Sequence, residues 1–186
     1  MIMTTTATSR KLLIRSVRWL LILALLPIRL GAEPEDPGSD ARDKGIRFIE
    51  VGKLDEARRE LSFAVNLLPG DAEASYLFGY IHLLQGRWSD ARKFLERAVS
   101  LDPAHVKAHS KLGIARAKLH DFRAAERSFA QVVRLVPEDA MARKNHGAAL
   151  RDLGRLAEAR AELERALRLD PMCADAYHAL GLLESK

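Results

Sequence analysis

His105 and His109 stand four residues apart, the spacing that sets two imidazoles on one helix face for a shared metal ion. Nothing at ligand spacing supplies a third donor, and His105 falls at a junction just after Pro103. The residues therefore predict no metal site and no cofactor. Cys173 is the only cysteine, which excludes an intrachain disulfide and any CxxC metal or redox pair. Its place in a turn just after Pro171 reads as a structural thiol rather than a nucleophile, and electrophoresis without reductant should show a monomer band. HExxH, GxxxxGK[ST], GxSxG and GxGxxG are all missing. Neighbouring charges such as Glu96 and Arg97, or Glu158 and Arg160, suit solvated helix faces better than acid-base chemistry. A non-enzymatic protein is expected.

The elements carrying these residues repeat. Pro69, Pro103, Pro137 and Pro171 are spaced 34 residues apart, and each closes a similar phrase, such as FLERAVSLDP and ELERALRLDP. With the proline as position 32, units run over 38–71, 72–105, 106–139 and 140–173, with a partial fifth over 174–186. Position 8 is Gly45, Gly79, Gly113, Gly147 and Gly181; position 20 is Ala57, Ala91, Ala125 and Ala159. Glycine inside a helix costs about 0.5–1 kcal/mol relative to alanine, so its return at one place needs a close helix approach. Apolar residues follow a helical period in two bursts per unit, in the second unit Phe78, Ile81 and Leu84, then Trp88, Ala91, Leu95 and Ala98. Between the bursts, position 15 is Gly52, Gly86 and Gly154, with His120 in the third unit. The proline ends the second helix and is expected to begin the next. Each unit reads as helix, tight turn, helix, with no strand signal.

The chain of 186 residues is 48% hydrophobic, 6% aromatic, and carries a net charge of +5. That excess lies in residues 1–32, which hold Arg10, Lys11, Arg15, Arg18 and Arg29 and no acid. The rest is neutral by formal count, so no nucleic-acid affinity is expected of the folded part. Basic residues, the apolar run from Trp19 to Ile28, then Gly31 and Ala32 follow the order of a signal peptide, with cleavage after Ala32. The stretch between Arg18 and Arg29 is short of the roughly 18 apolar residues expected of a bilayer-spanning helix. An uncleaved membrane anchor over 12–30 is the alternative, and an organelle transit peptide a third. No cysteine follows the apolar run, which excludes a bacterial lipoprotein. Periplasmic or secreted location is expected, with membrane contact only through this segment. Residues 33–37 form an acidic Pro/Gly linker, and the whole run EPEDPGSD to Asp40 is expected to be exposed and irregular.

These positions resemble the tetratricopeptide repeat family, whose 34-residue period carries Leu-Gly, Ala, Phe and Pro at set places. Leu112 with Gly113, Phe78 with Gly79, Leu180 with Gly181, and Phe129 match it, and Phe48 fits an aromatic place in the first unit. The resemblance covers Gly38 to Lys186. It implies an all-α, right-handed α-solenoid of about four such repeats plus a C-terminal solvating helix, onto which Tyr177, Leu180 and Leu183 pack back. Lys44 and His146 depart from the apolar residue before the glycine; Lys44 suggests a terminal unit with a wetter outer face.

The resemblance also implies that first helices line a concave groove. Helical spacing then offers Tyr76, Leu77, Tyr80, Leu83 and Leu84 in the second unit; Lys107, Ser110, Lys111, Ile114 and Lys118 in the third; and Met141, Lys144, Asn145, Arg151 and Asp152 in the fourth. The peptide-binding candidates are Tyr76, Leu77, Tyr80, Lys107, Lys111, Lys144 and Asn145, which suit a partner with a hydrophobic anchor and acidic residues. A plainer account has Tyr76 and Leu77 covering neighbouring helices and the lysines merely solvated. Family members that grip a C-terminal carboxylate use a Lys, Asn, Asn, Lys, Arg clamp; Arg42, Ile46, Leu77, Lys107 and Lys111 stand there, without either asparagine, which disfavours that mode. The expected function is an exported scaffold or adaptor holding a protein or peptide partner, in cell-envelope assembly, as a monomer. The alternative is a homo-oligomer stacking through the C-terminal helix.

Overall fold

The computed structural model describes residues 36–184. All three leader readings, the cleavage site, and linker residues 33–35 lie outside them.

Asp36 accepts the Gly38 N–H at 3.2 Å and Pro37 occupies the first turn, so α1 runs Pro37–Glu50. This corrects the expectation of an irregular run to Asp40. Proline with its preset φ at the first helical position, behind an aspartate cap, starts a helix rather than a loop. The remaining helices are α2 (Leu54–Leu67), α3 (Ala72–Leu84), α4 (Trp88–Leu101), α5 (Val106–Lys118), α6 (Phe122–Leu135), α7 (Ala140–Asp152), α8 (Leu156–Leu169) and α9 (Ala174–Glu184). No strand occurs among the described residues.

Within each unit the chain reverses through position 15 in the left-handed region: φ is 74° at Gly52, 72° at Gly86, 75° at Gly154 and 61° at His120. Glycine adopts this without strain, and histidine is among the non-glycine residues that tolerate it. Between units, each proline lies in the turn after the second helix, but it does not begin the next one. Position 34 does: Asp71, His105 and Asp139 accept backbone N–H groups of α3, α5 and α7. A side-chain acceptor at the N-cap satisfies donors that a helix start leaves unpaired.

The two helices of a unit meet at position 8. A Cβ placed on Gly45, Gly79, Gly113 or Gly147 would fall 2.6–2.9 Å from the side chain of Leu61, Leu95, Phe129 or Leu163. Those four residues and the alanines at position 20 are buried. Hairpins then stack in sequence, α2 on α3, α4 on α5, α6 on α7 and α8 on α9. First helices also touch first helices, α1 with α3, α3 with α5, and α7 with α9. Among the described residues the second helices make no comparable approach to one another. First helices therefore line the inner side and second helices splay on the outer side, the geometry of a curved solenoid.

The ends differ from the middle. Lys44 stays on the surface and pairs with Asp40 at 2.7 Å. At α9, Leu180 and Leu183 join the core of the fourth unit, but Tyr177 is 57% exposed and does not pack back as expected. Gly181 meets nothing within 4 Å.

Equal repeat positions should thus respond oppositely to substitution. Gly79→Val should destabilise by about 1–3 kcal/mol, because Leu95 and the Ala91 carbonyl at 3.2 Å leave no room. Gly181→Ala should stabilise by about 0.5–1 kcal/mol. Urea unfolding of both variants measures the two signs.

Candidate functional site

The inner face is built from α3, α5 and α7. Tyr80 on α3 stacks on Tyr76, ring centroids 6.1 Å apart, and the Lys111 ammonium of α5 lies over the Tyr80 ring, 5.0 Å from its centroid. A cation so placed is held by the ring quadrupole. Beside it a cavity of about 190 Å³ is lined by Lys107, Ser110, Lys111, Met141 and Asn145, with Val132 beneath. Neither Lys107 nor Lys111 has a carboxylate partner among the described residues. Ile46, Ile49, Leu83 and Ile114, all half-buried, add apolar surface on the first helices.

Of the seven candidates, Tyr80, Lys107, Lys111 and Asn145 gather here. Tyr76 and Leu77 do not stand opposite the packing stripe: each is only 7% exposed. The cap of α5 covers Tyr76, whose ring lies 4.9 Å from that of His105. Burial, reinforced by Glu73 and Tyr80, pushes the Tyr76 hydroxyl up to about 12. Lys144 is spent on Asp175 of α9 at 3.2 Å, and Arg151 on its neighbour Asp152 at 2.7 Å. Arg42, one of the clamp positions, is bound to Asp71 at 2.6 Å, which raises its pKa.

The histidine pair is occupied by structural bonds. His105 Nδ1 accepts from the Ala108 N–H at 3.3 Å, which leaves Nε2 to donate to Glu73 at 3.0 Å. His109 Nε2 lies 3.0 Å from the Pro103 carbonyl. Cys173 is buried at the start of α9. Among the described residues no three metal-ligating side chains cluster.

Sequence reasoning missed an aromatic knot behind the second unit. Phe78 and Phe94 meet edge to face at 4.5 Å, and His82 stacks on Phe94 at 5.7 Å. Comparing positions 7 and 23 between units would have found it, since only here are both aromatic: the other pairs are Lys44 with Glu60, Leu112 with Ser128, and His146 with Glu162.

A curved stack of helical hairpins with an open, cation-lined inner face defines a repeat scaffold whose working part is a surface. The chain belongs to the tetratricopeptide repeat family, whose model matches residues 42–106, 110–171 and 145–184. No curated protein matches its sequence significantly. Its structure is similar to that of the MamA fragment from Desulfovibrio magneticus RS-1, with a TM-score of 0.76 at 24% identity over 82% of this chain and 86% of that one. It is also similar to YrrB, described as a TPR protein with an unusual peptide-binding site, with a TM-score of 0.71 at 23% identity over 78% and 75%. At these identities the likeness is one of fold.

His82 generates a pH dependence. It is 4% exposed, and burial, then the nearby Arg87 charge, lower its pKa, with Asp90 opposing. Below about pH 6.5 the unfolded chain takes up a proton that folded His82 resists, so stability falls as pH drops from there through the lowered folded value. His82→Phe should flatten this part of the profile, measured as the urea midpoint at pH 7.5 and pH 5 for both proteins.

Proposed function

We propose that the protein is an exported, non-enzymatic scaffold that holds a protein or peptide partner along its inner groove, in assembly or maintenance of the cell envelope. The observation that carries the groove reading is Lys111 poised over Tyr80 beside Lys107 and Asn145, with neither lysine neutralised. A bound segment would lay an apolar side chain against Tyr80, Leu83 and Ile114 and direct carboxylates toward the two lysines. Family membership supports a binding role, because such arrays present long surfaces. Export rests on the sequence of residues 1–32 alone.

Photo-crosslinking residues placed at positions 80 and 111 should capture a common partner in cells that one at Arg59, on a second helix, does not. Lys107→Glu with Lys111→Glu should lower that capture more than fivefold without changing helical content; unchanged capture would remove the groove assignment. The mature chain should begin at Glu33 by N-terminal sequencing, and an intact Met1 terminus would argue for the anchor.

A second reading, stacking of copies through α9, is favoured by the open side of Gly181, where every complete unit seats a leucine or phenylalanine of its own second helix. Light scattering at rising concentration should show mass increasing above the monomer; a constant monomer mass would eliminate it.

A further inference from the structure

Splaying of the second helices leaves three successive seams on the outer side, each of which its own side chains must fill. Between α4 and α6, Arg116 fills it: Nη1 donates to Ser128 Oγ at 2.8 Å and Nη2 to Glu96 at 3.0 Å. Between α6 and α8 the bridge is ionic, with Arg143 donating to Glu162 at 3.0 Å and His146 lying 3.4 Å from Glu126, and the cleft of about 410 Å³ that remains there is lined by four charged residues, Arg123, Glu126, Arg127 and Arg155, with Leu153. Among the described residues the seam between α2 and α4 has no such ion pair and is bridged only at one end, by Arg97 to the Pro69 carbonyl. It holds a cleft of about 380 Å³ with Val65, Phe78 and Phe94 at its base. One lip carries Ser62 and Asn66, the other Lys93 and Arg97, and no carboxylate lines it.

We propose that this cleft is a second binding site, separate from the inner groove, for an acidic peptide segment that places a large apolar side chain beside a carboxylate. Its volume is that of a ligand pocket, about 300–1,000 Å³. The base is preorganised, because Phe78 and Phe94 brace each other edge to face with His82 stacked behind. The lips ask for charge. Lys93 lies 5.6 Å over the Phe94 ring and has no carboxylate partner among the described residues. Arg97 donates one nitrogen to the Pro69 carbonyl at 2.6 Å and keeps its remaining donors for a ligand. Ser62 and Asn66 make no side-chain hydrogen bond among the described residues, so their polar groups are also open to a partner. On each lip the polar residues stand four apart, one helical turn, so both rows run along the seam and track an extended chain rather than a single compact ion.

The probe is the pentapeptide acetyl-ELFDE-amide, titrated into the labelled full-length chain and followed by nuclear magnetic resonance, beside its neutral analogue acetyl-QLFNQ-amide. Saturable shifts at Ser62, Asn66 and Phe94 are expected, with at least tenfold weaker binding of the neutral analogue. Read at those three positions, Lys93→Glu with Arg97→Gln should weaken the acidic peptide at least tenfold, whereas Arg134→Glu, exposed in the last turn of α6, should leave it unchanged. Equal binding of both peptides by the unaltered protein, or shifts confined to Tyr80 and Lys111, would overturn the proposal. Either result leaves the inner-groove reading to its own crosslinking test.

Discussion

At the eighth residue of each complete unit a first helix comes so close to its partner that the side chain at the twenty-fourth position lies where a Cβ would be. Any side chain there would push the hairpin open. Because each hairpin is closed by this approach, its two helices act as one rigid block, and stacking those blocks buries the alanines and leucines that form the core. The repeat period is the spacing at which that approach can recur.

Curvature follows from the same constraint. Three of the four successive pairs of first helices meet and no pair of second helices does among the described residues, so the inner side becomes a groove and the outer side a series of wedges. A wedge is void unless filled, and voids forfeit dispersion contacts. Two of the three wedges are bridged by charged side chains paired within the chain, Arg116 with Glu96 and Arg143 with Glu162. The aromatic pair of the second unit fills its wedge only at the base. Variation at two positions of a uniform scaffold thereby changes a seam from one bridged by ion pairs to one floored by aromatic rings while leaving the fold intact.

Much of this was legible from residue spacing. The helical hairpins, the turn glycines with His120 in their place, and the glycine-alanine approach all follow from periodicities shorter than one unit. Aspartates at position 34 were legible too, since caps have a sequence signature, although the proline before them drew the helix start instead. The groove was legible only in part. Helical spacing places Tyr76 and Tyr80 on one face, yet His105, the cap of α5, covers Tyr76 and spares Tyr80. Lys144 looked as available as Lys111 until α9 brought Asp175 to it.

What the sequence by itself determined was the unit: which residues are helical, where the chain turns, and which face is buried. Burial of apolar surface repeats with every copy, so a period in composition reports it directly. What only the tertiary structure decided was how copies meet. Arg42 with Asp71 and Lys144 with Asp175 join residues 29 and 31 apart, and they depend on the rotation between hairpins and on the reach of flexible side chains. Gly147 and Gly181 hold the same place in the pattern, but one lies under Leu163 and the other faces open space. Local pattern encodes what a helix offers; the neighbour it meets, or lacks, settles what that offer becomes.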